Sequence, residues 1–310
     1  MEEIKEEDKP ENIKPEFLKD GNMPTAIQAA AAYLLNSRIS QPDKSQFCGS
    51  CYAIYDYTNE CYRMPCWLWS DAPVAYALLE LEKLENDFGK KAEYEKLAMD
   101  IGEVLLNSQV KEKEDELFGA LLSRYRYYGK AIRSFHRLLG PNDTSYSVKW
   151  ALLPLYEKTK DERYLEASRI ALDWIEKTIY RLDFIPSHYY YEDKIWEDKA
   201  FVDTGFCVEG FEQYQRIAGD RNYTDTMDYL MRRFMKQFKL ETGYFGQNYF
   251  PGKGVDDRLF TRGHAWVLEG LLSCCRAIGG EYYKKETESL CRKLVQVQVM
   301  ELSPGIRCAG

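Results

Sequence analysis

Histidine is scarce, at three residues in 310, and no run of a single charge sign stands out. Basic residues are interspersed with acidic ones and the formal net charge is -8. That balance argues against a surface built to hold nucleic acid or an anionic membrane. A small anionic substrate is still admissible, because one local arginine can outweigh global charge. No apolar run approaches the roughly 18 residues of a membrane span. The opening MEEIKEEDKPENIKPEF has neither a basic n-region nor an apolar h-region. The expected location is therefore cytoplasmic, or periplasmic if a signal has been removed. Phosphate loops, dinucleotide fingerprints and serine elbows are absent. The nine cysteines are an odd number and read as reduced thiols rather than a disulfide framework. Cys48, Cys51, Cys61 and Cys66 invite a zinc reading, but the second pair is separated by four residues with no histidine nearby. Buried thiols are the expectation there.

Aromatic residues are abundant, with 24 Tyr, 14 Phe and 6 Trp. Several sit in polar surroundings, as in HYYYEDKIWEDKAF and GYFGQNYFPGKG. Such rings offer an apolar face together with a polar handle, the combination a carbohydrate site needs.

The chain also repeats itself. NDTSYSVKWALLPLYEKTKDERYLEASRIALDWI, at 142–175, is restated as VDTGFCVEGFEQYQRIAGDRNYTDTMDYLMRRFM, at 202–235. Within each, apolar residues recur at helical spacing, break at a short turn, and recur again. A third copy starts at Thr261, and a weaker one runs over 69–106 with its turn around Gly89. Tyrosines 94, 164, 223 and 282 follow the four turns. The pattern predicts a repeat of αα-hairpins whose period, near 60 residues, is long for the common helical solenoids. Further helices are expected at 24–36 and near 115–135, about ten in all. Loops at 107–142, 177–202 and 237–261 hold many of the aromatics, and functional residues gather on such loops.

Asp143 and Asp203 occupy equivalent positions, each before Thr at the start of a hairpin. One reading is a plain N-cap. The other is chemistry: packed hairpins would bring equivalent helix starts to one rim, and paired carboxylates are the minimum equipment for acid/base work on a sugar bond. The third copy carries Arg262-Gly263-His264-Ala265-Trp266 at that position. Arginine can hold a carboxylate in a fork, histidine can shuttle a proton and tryptophan can stack on a sugar ring. The plain alternatives are a salt bridge to a loop acid for Arg262 and core packing for Trp266. Asp203 lies between Phe201 and Phe206 with Trp196 near in sequence, and such crowding suits a proton donor. Asp203 is the expected general acid/base and Asp143 its charged partner. Tyr249 joins Trp196 among the candidate substrate-binding aromatics. Asp71, in WSDAP, reads as a cap, Cys274 and Cys275 as core. His136 and His188 have no identifiable partner.

These residues resemble the six-hairpin glycosidases, specifically the unsaturated glucuronyl and rhamnogalacturonyl hydrolases of glycoside hydrolase families 88 and 105. The resemblance covers about residues 140–300 and rests on VDTGF followed by AGDRNY, on the earlier Asp-Thr, and on TRGHAW. It implies an all-α, (α/α)6 toroid, with a final hairpin that is missing or unrecognisable in this chain. A charged arm over 1–22 would precede a single catalytic domain over 23–310. The resemblance further implies two catalytic aspartates at Asp143 and Asp203, and Arg262, His264 and Trp266 lining a sugar site. The family reaction hydrates a 4,5-unsaturated uronyl residue of an oligosaccharide, with no metal or organic cofactor. Two alternatives stand beside it. One is a saturated glucuronidase or another toroid carbohydrate enzyme using the same carboxylates. The other is a noncatalytic helical-repeat module that binds saccharide or protein.

Overall fold

The structure is a computed structural model, and it describes residues 23–38, 49–56, 58, 61–65, 68–124, 137–297, 301–303 and 306–307. The expected N-terminal arm, Cys48, Cys66, His136 and most of the helix expected near 115–135 lie outside the described residues.

Helices dominate. After α1 (Met23–Asn36) come α2 (Leu68–Leu84) and α3 (Phe88–Ser108). Next are α4 (Pro141–Ser147), a π-helical turn over Val148–Leu152, and α5 (Leu153–Thr159), followed by α6 (Glu162–Arg181). Then α7 (Cys207–Ala218), α8 (Thr224–Phe238), α9 (Thr261–Ala277) and α10 (Glu281–Gln296) complete the helical set. The described residues form two units, one from within 1–174 and 189–195, the other from within 175–188 and 196–310. Among the described residues no helix is long and apolar enough to cross a membrane.

In the first unit α2 packs along α3, and α4 with its π-turn packs on α2. Asp87 starts α3 as an N-cap, its carboxylate accepting from the amides of Gly89 and Lys90 at 2.8 and 3.1 Å. The break between α2 and α3 thus precedes Phe88, and the expected turn residue Gly89 is already helical. In the second unit α9 packs against α7, α8 and α10. The buried face of α8 is Met227, Leu230, Met231, Phe234 and Phe238, spaced as one apolar stripe.

The hairpin turns use left-handed backbone. Gly219 closes α7 with φ 70°, and Gly279 and Gly280 follow α9 with φ 71° and 84°. Lys160 takes the same conformation after α5, at φ 59°, without glycine. The tyrosines after the turns anchor the repeat: Tyr94, Tyr164 and Tyr223 are buried. In the last copy the buried residue is Tyr283, while Tyr282 is 38% exposed. The repeat register at this point is one residue later than the sequence spacing suggests.

The expected helix near 115–135 is not formed over the residues described there. Residues 113–119 are turns, and Ser123–Arg124 pair with Arg137–Leu139 as antiparallel strands. Gly119 explains the departure. It sits at φ +99°, and a Cβ there would lie 2.4 Å from the Ile170 carbonyl oxygen of α6. The segment therefore turns tightly onto α6, and the amides of Val110 and Gly119 pair with carbonyls of Ala120 and Val110. In the second unit the strands 200–201, 248–250 and 254–255 form a small antiparallel sheet, and the first of them runs directly into the Asp203 turn.

Candidate functional site

Asp143 belongs to the first unit. Gly140 is the N-cap of α4 and Pro141 its first residue, so Asp143 is third in the helix rather than its cap. The carboxylate is 3% exposed, and the Trp69 indole N–H of α2 donates to Oδ1. The Trp69 ring also lies against Tyr146, with centroids 4.2 Å apart. Thr144 accepts the Leu121 amide at 3.2 Å, tying the 109–121 loop to the start of α4. Further along, Leu153 N–H donates to Val148 C=O and opens the π-turn. Pro154 follows directly: it has no N–H for the Trp150 carbonyl, so the regular ladder cannot continue there.

Asp203 belongs to the second unit. It lies on a 3-10 turn over Val202–Phe206 and is 9% exposed. The turn is held from both sides. The Val202 amide donates to Gln247 C=O at 2.9 Å, and Thr204 Oγ1 donates to Phe201 C=O at 2.8 Å. Two glycines of α9 let the helix touch this turn. A Cβ on Gly270 would lie 2.5 Å from the Gly205 carbonyl oxygen, and one on Gly263 would lie 2.6 Å from Val202 Cγ1.

Arg262, the second residue of α9, is exposed. Its guanidinium lies against two rings, 4.9 Å from the Phe260 centroid and 4.6 Å from that of Trp266. Among the described residues it forms no ion pair, so the salt bridge to a loop acid is not found there. Trp266 is half-buried and meets Phe201 and Phe260 edge to face, at 6.1 and 6.3 Å. Cation–π contact orients the guanidinium without consuming its N–H donors.

His264 differs from that picture. It is 4% exposed, and both ring nitrogens are engaged by backbone: Nε2 lies 3.1 Å from the Phe245 amide and Nδ1 2.8 Å from the Phe260 carbonyl oxygen. An amide only donates and a carbonyl only accepts, so the network assigns the proton to Nδ1. In this arrangement His264 ties the loop before α9 to the loop after α8. Tyr249 is half-buried in the strand 248–250, its ring 6.3 Å from Phe184 and 5.9 Å from Phe238. Trp196 is half-buried in the strand 195–196.

Sequence patterning missed several polar residues in this unit. Asp256 Oδ1 accepts the amides of Gln247 and Asn248, while Oδ2 accepts from the Asn248 side chain at 2.7 Å and from Arg258 Nε at 3.1 Å. Burial pushes its carboxyl up, but these hydrogen bonds outweigh it and hold it below the usual range. Glu209 and Glu212 are buried on α7, at 2% and 8% exposure. His188 gains the partner that the sequence did not show, with Nδ1 3.1 Å from Glu197 Oε2. Burial raises the Glu197 carboxyl, and contact with His188 and Lys199 brings it below its ordinary value. The pairings of Asp256 with Asn248 and of His188 with Glu197 follow no short motif, since strand pairing makes those residues adjacent.

Asp71 is also not a cap. It is the fourth residue of α2, fully buried, and accepts from Ser50 Oγ at 2.7 Å and the Cys51 amide at 2.9 Å. Burial pushes its carboxyl up to about 7 despite those bonds. Burial and the adjacent Asp71 likewise push the Cys51 thiol up to about 12. Cys274 is fully buried, and Cys275 is partly exposed. Among the described residues no group of three or more His, Cys, Asp or Glu is placed to hold a metal ion.

No family model and no curated protein sequence matches the chain. Its likeness is to solved structures. It is similar to the cellobiose 2-epimerase from Bacillus thermoamylovorans, with 14% identity over 93% of this chain and 74% of that one, and a TM-score of 0.68. It is similar to a family 76 glycoside hydrolase, a mannosidase, from Bacteroides thetaiotaomicron, at 9% identity, 91% and 76% coverage and TM-score 0.57. An unsaturated glucuronyl hydrolase specific for heparin matches at 12% identity and TM-score 0.52, over 76% of this chain and 58% of that one. The chain therefore has an all-α, (α/α)6 fold, which it shares with these solved structures.

Proposed function

We propose that the protein is a carbohydrate-active enzyme that hydrates a 4,5-unsaturated uronyl residue at the non-reducing end of an oligosaccharide. The observation that carries this reading is Arg262: an arginine with no ion pair among the described residues, in cation–π contact with Phe260 and Trp266, on the helix that packs against the Asp203 turn. A guanidinium so placed is suited to a sugar carboxylate, which it can bind through two parallel N–H donors. Trp266 offers the pyranose an aromatic edge. Trp196 and Tyr249 are assigned to binding the rest of the saccharide.

Asp203 is assigned proton transfer. Its carboxylic acid adds a proton to carbon 4 of the double bond, and the resulting carboxylate takes a proton from the water that bonds to carbon 5. The hemiketal then opens and releases the remaining saccharide. Asp143 is assigned the role of a charged partner, ionised through the reaction. The reading gives His264 a positioning role, since both its nitrogens are already engaged. No metal or cofactor enters the steps.

The test is loss of the ultraviolet absorbance of the conjugated enol acid, measured on a panel of unsaturated uronyl disaccharides. Arg262→Gln should raise KM by about tenfold or more, corresponding to about 1.4 kcal/mol of lost binding. Absence of decay with every member of the panel, from protein shown to be folded, overturns the hydration reading.

A second reading is sugar epimerisation, in line with the cellobiose 2-epimerase among the similar structures. The half-exposed His188, oriented by Glu197, is an acid/base pair of the kind such proton exchange needs. It predicts solvent-deuterium incorporation into a saturated reducing sugar, with no change in absorbance.

A further inference from the structure

The hairpin-turn end of the second unit holds a cavity of about 610 Å³, within the usual size range of small-molecule sites. It is bounded by the last turn of α7, the α7–α8 turn and the last turn of α9. Asp203 and Arg262 sit at the opposite ends of α7 and α9. From Arg262 to Arg276 along α9 is roughly 21 Å at the helical rise of about 1.5 Å per residue. The cavity is therefore separate from the candidate active site.

Its lining reverses the sign of the chain. Arg216, Arg221 and Arg276 face it, against the carboxylates of Glu212 and Asp220. The floor is Glu212, 8% exposed. Arg276 grips that carboxylate with a loose fork, Nε to Oε1 at 3.3 Å and Nη2 to Oε2 at 3.4 Å, while Nη2 also donates to Ser273 Oγ at 2.8 Å. Arg216 reaches the same carboxylate only at 3.9 Å, and its side chain is 57% exposed. Arg221 is steadied from behind by Glu176 at 2.7 Å and by the Tyr223 ring at 5.0 Å. Guanidinium donors thus outnumber acceptors around a preformed concavity. Among the described residues no aromatic ring lines it, so the fitting ligand is small and hydrophilic.

We infer that this cavity binds a small hydroxylated oxyanion, a sugar phosphate or a uronate, held by Arg216 and Arg276 with Arg221 at the rim. Gln215, Asn222 and Thr224 supply donors and acceptors for its hydroxyls. The site does not depend on the proposed reaction at Asp203.

Isothermal titration of the full chain with glucuronate, glucose 6-phosphate, inorganic phosphate and neutral glucose tests it. The expected result is saturable, salt-weakened binding of at least one sugar oxyanion, with neutral glucose inert. The glucuronate and sugar phosphate arms show which anion the arginines prefer. Arg216→Gln should weaken that binding about tenfold or more, and Arg262→Gln should leave it unchanged. Arg216→Lys, which keeps the charge but loses the fork, should fall between. The inference is overturned if no sugar oxyanion binds, if glucose binds equally well, or if binding is lost in Arg262→Gln and kept in Arg216→Gln.

Discussion

The two Asp-Thr segments start from the same phrase and wind differently. In the first unit, Asp143 enters a regular helix that widens to a π-turn just before Pro154. In the second, Asp203 rides a tight 3-10 turn that relaxes into the regular α7. The neighbours differ accordingly. Asp143 is enclosed by side chains, with the Trp69 indole on its carboxylate. The Asp203 turn is approached closely by the backbone of α9, because glycines at 263 and 270 leave room for it. A repeated sequence thus specifies a repeated hairpin, while the local winding at each helix start is decided by proline, glycine and what packs alongside.

Three changes would break or sharpen this contrast, taken from the largest expected effect. Asp71, a third aspartate near a helix start, is buried with two hydrogen bonds and a carboxyl raised to about 7. Its raised value means that its stabilising contribution is complete below about pH 4 and is lost as pH rises through about 7. Asp71→Asn should leave stability unchanged near pH 4 and increase it above pH 7 by up to about 4 kcal/mol, read by urea unfolding at the two pH values. No gain at high pH would mean the ionised form is better served than its burial indicates. Gly270→Ala comes next, since its Cβ would overlap the Gly205 carbonyl oxygen. A loss of about 2–3 kcal/mol is expected in the same measurement, and an unchanged midpoint would refute the close approach. The smallest is Trp69→Phe, which removes the donor to Asp143 and should cost about 1–2 kcal/mol. It should leave the second unit's hydrogen-exchange protection intact.

The hairpins were legible because their apolar residues recur at helical spacing and their turns carry glycine or charged residues. AGDRNY and AIGGEYY read directly as turns, and both Gly219 and Gly279 take the left-handed conformation. The region around 115–124 was misread because its apolar residues mimic a helix, whereas the decisive feature is Gly119 against the Ile170 carbonyl oxygen, a contact some 50 residues distant. Asp71 reads as a cap from its place before Pro73, and a cap is one of the two readings open for Asp143, but the helices begin at Leu68 and Pro141, so neither residue caps its helix. At the candidate site, TRGHAW was legible as chemistry-bearing residues. That Arg262 lies against Phe260 and Trp266 while His264 is spent on backbone depends on side-chain direction, which no spacing rule gives. Glu209, Glu212 and Asp256 were hidden among many acidic residues, because only burial distinguishes them.

The central claim is that Asp203 transfers the proton. The most direct measurement is the decay of enol-acid absorbance on the best unsaturated uronyl disaccharide, comparing wild type with Asp203→Asn under identical folding by circular dichroism. The account predicts that kcat falls by about a thousandfold or more, on the order of 4 kcal/mol of transition-state stabilisation, with KM little changed. A variant that keeps its turnover within about tenfold of wild type would contradict it.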